Sequence, residues 1–447
     1  MMPHADPARF PTLSSAGARM LAFLRDHPAA PHYRNHSGNK LVAGEPEALR
    51  AYEADVAGAT VGWLPGTRPA WVDALAAQVY ATVPHYRQQG SLPLRFADIA
   101  PVGRADFAAD IASFVPDYVD LARMISFRTS GTTGHPIFVP SHPVVAGRYL
   151  AFHKRALRRF GIAPAYGAGQ VGIVLLGYQQ RCFTYVSVTP TMNESGLAKL
   201  NLHPDDWRDP ADRARYLDAL APEIVAGDPV SFAEYLSLPV TWRPRALISV
   251  SMMLLPGLRA QLEQRFGCPV LDIYSLNEVG PVGVFDAAAG GHVLLQPQLF
   301  VEILDAAGAP VAPGGTGEIT VTGGFNFCLP LLRYRTGDHG ALAFAPDGPV
   351  LQGLSGRRPL RFFGRGAWWN NVDITHALQD FPVAQFRLHQ HADGAVTLYL
   401  PAAALHLGDA ARLALGTLFD AATVRVALLD VHDKAIQYRS DFPGAQG

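Results

Sequence analysis

The spacing of apolar and polar positions changes several times along this 447-residue chain. The first 80 residues are rich in Ala, Pro and His and show scattered helical periodicity, as in Ala16-Gly17-Ala18-Arg19-Met20-Leu21-Ala22-Phe23-Leu24. Residues 71–114 read as helix, then Pro93-Leu94-Arg95-Phe96, then a further helix, and residues 142–160 read as another helix. Met124-Ile125-Ser126-Phe127 reads as a short buried strand, and Gly172-Ile173-Val174-Leu175-Leu176 is a continuous apolar run of the buried parallel kind. Between residues 212 and 265 the pattern alternates: helix 213–220, strand 223–226, helix 232–238, strand 246–250, helix 258–266. Such alternation predicts a mostly parallel sheet covered on both faces. From 292 to 344 the chain turns β-rich, with Phe300-Val301-Glu302-Ile303-Leu304, Glu318-Ile319-Thr320-Val321-Thr322 and a turn at Ala312-Pro313-Gly314-Gly315. The last stretch shows mixed helix and strand spacing.

The expected class is therefore α/β: a large N-terminal domain with mostly parallel sheets flanked by helices plus a β subdomain, followed by a small α+β C-terminal domain of lid size. The expected divisions are an N-terminal helical segment 1–80, a core domain 81–355 with its β subdomain over about 292–350, and a lid domain 356–447. Two local patterns are set aside. Gly167-Ala168-Gly169-Gln170-Val171-Gly172 has dinucleotide-loop spacing, but its glycines precede a strand instead of following one. His389-Gln390-His391-Ala392-Asp393 mimics a metal motif, yet Gly394 and Val396-Thr397-Leu398 make it a hairpin with an Asp-Gly turn.

With 49% hydrophobic residues the chain can bury large cores. Its 37 basic and 38 acidic residues give a formal charge of −1, so nucleic acid is not an expected partner. No basic amphipathic stretch, long apolar span or lipidation signal points to a membrane, and residues 1–30 lack the charged start and apolar core of a secretion signal. A cytoplasmic protein is expected, in which the sequons at Asn35 and Asn193 carry no meaning. Cys182, Cys268 and Cys328 are far apart, which argues against disulfide or zinc chemistry, and the apolar surroundings of Cys268 and Cys328 suggest buried, inert thiols.

The densest chemistry lies in Arg128-Thr129-Ser130-Gly131-Thr132-Thr133-Gly134-His135-Pro136. Hydroxyls from Ser130, Thr132 and Thr133, with Gly131 and Gly134 baring backbone N–H groups, suit a loop around a polyphosphate. The Gly-Lys-Ser/Thr ending of a Walker loop is absent, and by itself the segment is equally an ordinary polar turn. Three further segments follow in order: Leu271-Asp272-Ile273-Tyr274-Ser275-Leu276-Asn277-Glu278, Leu331-Leu332-Arg333-Tyr334-Arg335-Thr336-Gly337-Asp338, and Ser355-Gly356-Arg357. From about residue 80 onward the chain resembles the adenylate-forming ligase superfamily: acyl- and aryl-CoA synthetases, adenylation domains and luciferases. The branch it is most similar to is that of the phenylacetate-CoA ligases, through the Ser-Gly-Thr-Thr-Gly-x-Pro loop, Tyr-x-x-x-Glu and Tyr-Arg-Thr-x-Asp.

The resemblance implies an ATP- and Mg²⁺-dependent enzyme that makes an acyl-AMP. Thr129, Ser130, Gly131, Thr132, Thr133 and Gly134 would hold the β- and γ-phosphates, and Glu278 would bind Mg²⁺. Tyr274 and the stretch 249–253, Ser251 included, would flank adenine, while Asp338 and Arg357 would reach the ribose. Lys434, in Asp433-Lys434-Ala435, matches the lysine that bridges the carboxylate and the α-phosphate, although Asp433 replaces the usual glycine. The catalytic set would be Lys434, Glu278 and Thr133. Tyr178, Phe183, Tyr185 and Tyr235, with Arg181 as a polar partner, would form an aromatic-lined pocket for an aryl acid, core packing being the alternative for each ring.

Two features depart from the pattern. Pro359 stands where relatives carry the hinge aspartate, and a fixed φ should stiffen the hinge. Trp368 and Trp369 lie near the strip that relatives use to admit the pantetheine arm. The acyl acceptor therefore stays open between CoA or a carrier-protein thiol and a non-thiol route, either an amine or nitrite activation for diazotisation. A catalytically silent nucleotide-binding relative is a further alternative, and a homodimer is compatible with all of these.

Overall fold

The computed structural model describes residues 6–128, 137–164, 167–180, 182–346, 348–355, 360–430 and 436–445. The chain divides into two compact units. One comprises Met1–Lys40, Ile162–Asp272 and Pro359–Gly447, and the other Leu41–Gly161 and Ile273–Arg358. The first 80 residues are thus shared out: helix Ser15–Asp26 belongs to the first unit, and helices Glu45–Gly58 and Ala70–Thr82 to the second.

In the first unit the alternating stretch forms the expected parallel sheet. Its strands run in the order Tyr185–Thr189, Ser195–Asn201, Val171–Gly177, Ile224–Gly227, Ala246–Val250. All neighbours are parallel except Tyr185–Thr189 on Ser195–Asn201. Ile224–Gly227 is buried along its whole length, which is why its sequence lacks alternation. Helices Asp212–Leu220, Pro229–Ser237 and Pro256–Phe266 follow the strands and contribute Leu217, Phe232, Leu262 and Phe266 to one apolar core. Helix Pro229–Ser237 starts where Asp228 Oδ1 accepts from the Ser231 amide (2.8 Å), with proline in the first turn.

The C-terminal part of this unit has its own sheet, in the order Val424–Leu428, Val396–Leu400, Arg387–Gln390, Tyr438–Ser440. The central pair is antiparallel and the two outer pairs are parallel. Arg387–Gln390 and Val396–Leu400 form the hairpin read from the sequence, turning at Gly394 with φ +87°. Helices Asn371–Leu378 and Gly408–Leu415 contribute to its apolar core, which includes Phe362, Ile374, Leu398 and Leu415. The fold class is therefore as expected.

Apart from Val102–Gly103, which pairs in parallel with Leu331–Ala345, the described strands of the second unit pair antiparallel. Its ladder runs Leu299–Leu304, Thr316–Gly323, Leu331–Ala345, Gly348–Ser355, Gly291–Leu294, Gly280–Asp286 and, from Ile273 onward, strand Val270–Leu276. Antiparallel pairing thus begins near Ile273, earlier than residue 292, because the chain reverses sharply at Asn277–Val279 and Val284 returns opposite Ile273. Gly280, at φ +80°, permits that reversal: a Cβ there would meet the Phe325 ring at 2.3 Å. The expected buried strand before the phosphate loop is corrected. Among the described residues Ile125–Arg128 pairs only with Phe138–Ser141 in a two-stranded ribbon, and Met124 and Phe127 stay exposed. Helix Pro143–Arg159 follows directly and packs on Glu45–Gly58, where Lys154 and Glu53 form a buried ion pair at 2.8 Å. Among the described residues, no helix is long and apolar enough to cross a membrane.

Candidate active site

The two acidic motifs meet in the second unit. Tyr274 projects from strand Val270–Leu276 and its hydroxyl donates to Asp338 Oδ2 at 2.8 Å. Burial, then the Asp338 charge, holds the Tyr274 phenol well above its ordinary range, so it stays a donor. Asp338 lies within the long strand Leu331–Ala345. Pairing with Thr316–Gly323 steps from Thr320↔Arg335 to Glu318↔His339, so residues 336–338 form a bulge. Gly337 takes φ +81° in that bulge, and the Asp338 amide donates to Thr336 Oγ1 at 3.1 Å. The side chain is thereby aimed by local backbone geometry.

Arg335 of the Tyr-Arg-Thr-x-Asp segment and Arg333 just before it both hold the backbone in place. Arg335 Nε donates to Glu318 Oε2 (2.7 Å) while the Gly337 amide donates to Glu318 Oε1 (3.1 Å), so one carboxylate ties the bulge to the next strand. Arg333 is 1% exposed, at φ +47°, and donates to the carbonyls of Ala97 (2.7 Å) and Ile99 (2.8 Å). That grip seats the segment leading to Val102–Gly103, which pairs in parallel with Tyr334 and Arg335.

The consequence reaches Glu278. Arg104 follows Gly103 at the start of helix Arg104–Asp110, and its Nη1 lies 3.0 Å from Glu278 Oε1. Glu278 is 5% exposed. Tyr334, stacked on Phe107 at 4.9 Å, has its phenol raised by burial and then by the Glu278 charge, with the Asp338 charge adding to the rise. Both carboxylates therefore lie within electrostatic reach of one buried hydroxyl. Tyr149 donates to the Asn277 carbonyl at 3.4 Å and is pushed up to about 12 by burial and the Glu278 charge. Gln296, buried, donates to the carbonyls of Val279 (3.0 Å) and Pro281 (2.8 Å) and clamps the reversal. Arg104, Tyr149 and Gln296 were missed by sequence reasoning. Only Gln296 left a signal, as a lone polar residue after Val293-Leu294-Leu295.

Among the described residues, no group of three or more His, Cys, Asp or Glu side chains is arranged to hold a metal ion. Thr129, Ser130, Gly131, Thr132, Thr133, Gly134, Arg181, Arg357 and Lys434 lie outside the described residues, as do Pro359 and Asp433. The remaining expected ligands belong to the first unit. Ser251 is exposed just past strand Ala246–Val250 and takes φ +71°; Ser249 before it is fully buried.

The aromatic set separates. Tyr178 packs beside His203, with ring centroids 5.8 Å apart, and Phe183 is 53% exposed and meets Tyr185 edge-on at 5.6 Å. Tyr235 is 1% exposed, with its ring stacked on Phe266 at 4.4 Å, and core packing accounts for its place. Burial raises all three thiols, Cys268 and Cys328 up to about 11, and Cys182, half-buried, sits on the same loop as Phe183 while the other two are buried. A thiol reagent at about pH 8 should therefore modify Cys182 alone in the native protein and all three cysteines after denaturation; rapid native reaction at Cys268 or Cys328 would contradict their packing.

No protein-family profile matches the chain. Over 86 residues it is 36% identical to a phenylacetate-coenzyme A ligase of Aromatoleum evansii, a match covering 18% of this chain and 20% of that one. A Pseudomonas putida phenylacetate-coenzyme A ligase matches at 36% over 85 residues, 19% of its length. Among solved structures, a 2-hydroxyisobutyryl-CoA ligase in its postadenylation state with R3-HIB-AMP superposes with a TM-score of 0.61 at 18% identity, over 83% of this chain and 88% of that one. The same enzyme with 2-HIB-AMP and CoA in its thioesterification state gives 0.51, over 91% of each chain. The chain therefore has the fold of the adenylate-forming acyl-CoA ligases and, over about a fifth of its length, a sequence similar to phenylacetate-coenzyme A ligases.

Proposed function

We propose that this protein activates a small carboxylic acid, with an aryl acid favoured, as its acyl-AMP and passes the acyl group to the thiol of CoA or of a carrier protein. The carboxylate oxygen forms a bond to the α-phosphorus of ATP as the bond to pyrophosphate breaks. A thiolate then attacks the acyl carbon and AMP leaves with the bonding electrons. The observation that carries this reading is that Tyr274 and Asp338, from motifs some sixty residues apart, are joined by a hydrogen bond, and that the buried Tyr334 hydroxyl lies within electrostatic reach of both Asp338 and Glu278.

In this reading Asp338 receives the ribose hydroxyls and Tyr274 lies against the base. Glu278 supplies one oxygen donor toward Mg²⁺. A single carboxylate fits that ion, which keeps several waters and takes phosphate oxygens instead of a full protein cage. Bound there, Mg²⁺ would screen the charge of the polyphosphate. Arg104 shares the carboxylate and keeps its charge compensated. Thr129–Gly134 would cradle the β- and γ-phosphates, and Arg357 would join Asp338 at the ribose. Incubation with ATP, Mg²⁺ and a panel of aryl and alkyl acids, followed by mass spectrometry, should reveal an acyl-AMP for at least one acid. ATP left intact with every acid would favour a silent nucleotide-binding protein.

A second reading keeps adenylation and changes the acceptor to an amine or, with nitrite as the activated acid, to a diazotisation partner. Pro359 in Gly356-Arg357-Arg358-Pro359 supports it, because a fixed φ opposes the rotation that thioester formation uses. Pro359→Asp is accordingly expected to speed transfer from preformed acyl-AMP to CoA while leaving adenylation unaltered. An unchanged transfer rate would remove Pro359 as the reason for acceptor choice.

A further inference from the structure

The chain visits one side of strand Val171–Gly177 through Tyr185–Thr189 and Ser195–Asn201, then crosses to the other side with Ile224–Gly227. The carboxyl end of that central parallel strand is a topological switch point, where open α/β sheets bind their ligands. The loop leaving it carries Tyr178, Cys182 and Phe183 and returns at Tyr185.

Both ends of this loop are clamped. At its start, buried Asn201 receives the Gln179 amide on Oδ1 (3.0 Å) and donates from Nδ2 to the Gln179 carbonyl (2.7 Å). At its finish, the N-terminal segment lies alongside Thr184. The Asn35 amide donates to the Thr184 carbonyl (3.0 Å), the Thr184 amide donates to Asn35 Oδ1 (3.0 Å), and the Arg34 amide donates to Thr184 Oγ1 (3.0 Å). Asp206, 1% exposed, joins the two clamps: Oδ2 accepts from Asn201 Nδ2 (2.8 Å) and Oδ1 from Arg34 Nε (2.8 Å). The His32 amide also donates to the Asp206 carbonyl (2.8 Å). Residues 32–35 thus close one continuous hydrogen-bond network around the loop, and the buried Asp206 carboxylate gives Arg34 a fixed partner.

We propose that Arg34 and Asn35 are positioning residues for acid selection, holding the loop that presents Tyr178 and Phe183 to the acyl group; this rests on the ligase reading above. The N-terminal segment then has a defined task. It holds the loop at the switch point from a part of the chain that carries none of the nucleotide motifs.

The test measures acid-dependent pyrophosphate release and Cys182 alkylation in Arg34→Ala, Arg34→Lys and Asn35→Ala. Loss of the clamp should raise KM for the acid about tenfold or more, leave KM for ATP within about twofold, and reorder preference across the acid panel. Cys182 should alkylate about tenfold faster in both alanine variants, and Arg34→Lys, which restores the charge beside Asp206, should recover much of the loss. Asn35→Ala leaves the Asp206 ion pair intact, so it reads the clamp even if Arg34→Ala folds poorly. Equal rises in KM for acid and ATP, or an unmoved KM for the acid, would overturn the proposal. A wild-type protein that turns over no acid would overturn the ligase reading and this role with it, an outcome distinct from variants that fail beside an active wild type.

Discussion

Lys434→Ala is expected to lower acid-dependent pyrophosphate release by about 10²–10³-fold, the usual cost of deleting one preorganised cation at a developing charge. During attack the α-phosphorus gains an oxygen before pyrophosphate has left, so negative charge concentrates where two anions must already meet. A compact ammonium can bridge the incoming carboxylate and the α-phosphate as a guanidinium fork would not. If Lys434 makes this contact only in the transition state, ATP affinity should change little and the loss should fall on the rate. Transfer from preformed acyl-AMP to an acceptor should survive, because the lysine belongs to the first half-reaction in this account. Single-turnover rates for the two half-reactions check this directly. Undiminished pyrophosphate release would remove Lys434 from the chemistry and give the role to a cation elsewhere.

Lys154→Met is expected to destabilise the second unit by about 3–5 kcal/mol, because it strands a buried carboxylate without its cation. Lys154 Nζ and Glu53 Oε2 lie 2.8 Å apart with both side chains about 10% exposed, between helices Pro143–Arg159 and Glu45–Gly58. The neighbouring Arg155 donates to the carbonyls of Val56 and, at 2.8 Å, Ala59, so the same seam is stitched twice. The double variant Glu53→Leu/Lys154→Met should recover most of the loss, since an apolar pair of similar volume avoids the desolvation cost. Urea midpoints followed by a probe confined to the second unit distinguish the cases. A single variant as stable as wild type would mean that water reaches Glu53.

The parallel half of the fold was legible because each strand and helix between residues 212 and 266 keeps one period long enough to be read. The ribbon before the phosphate loop was misread because an apolar quartet looks the same whether it enters a sheet or pairs with one exposed partner. Asp338 was found by its neighbours in sequence, yet its place within a strand could not be foreseen, since the bulge at residues 336–338 depends on Glu318 across the ladder. Arg104 left no trace: nothing local marks it, and it meets Glu278 only because Arg333 grips the carbonyls of Ala97 and Ile99. Tyr235 and Phe183 are both aromatic residues near apolar runs, and only tertiary packing sorts the first into the core and the second onto a loop.

The measurement that bears most directly on the central claim is pyrophosphate release from ATP and Mg²⁺ across aryl acids, alkyl acids and nitrite, each with and without CoA. The account predicts release that requires one class of organic acid and is accelerated by CoA. Release that ignores CoA would move the assignment to the non-thiol acceptor, and no release with any acid would contradict adenylate formation itself.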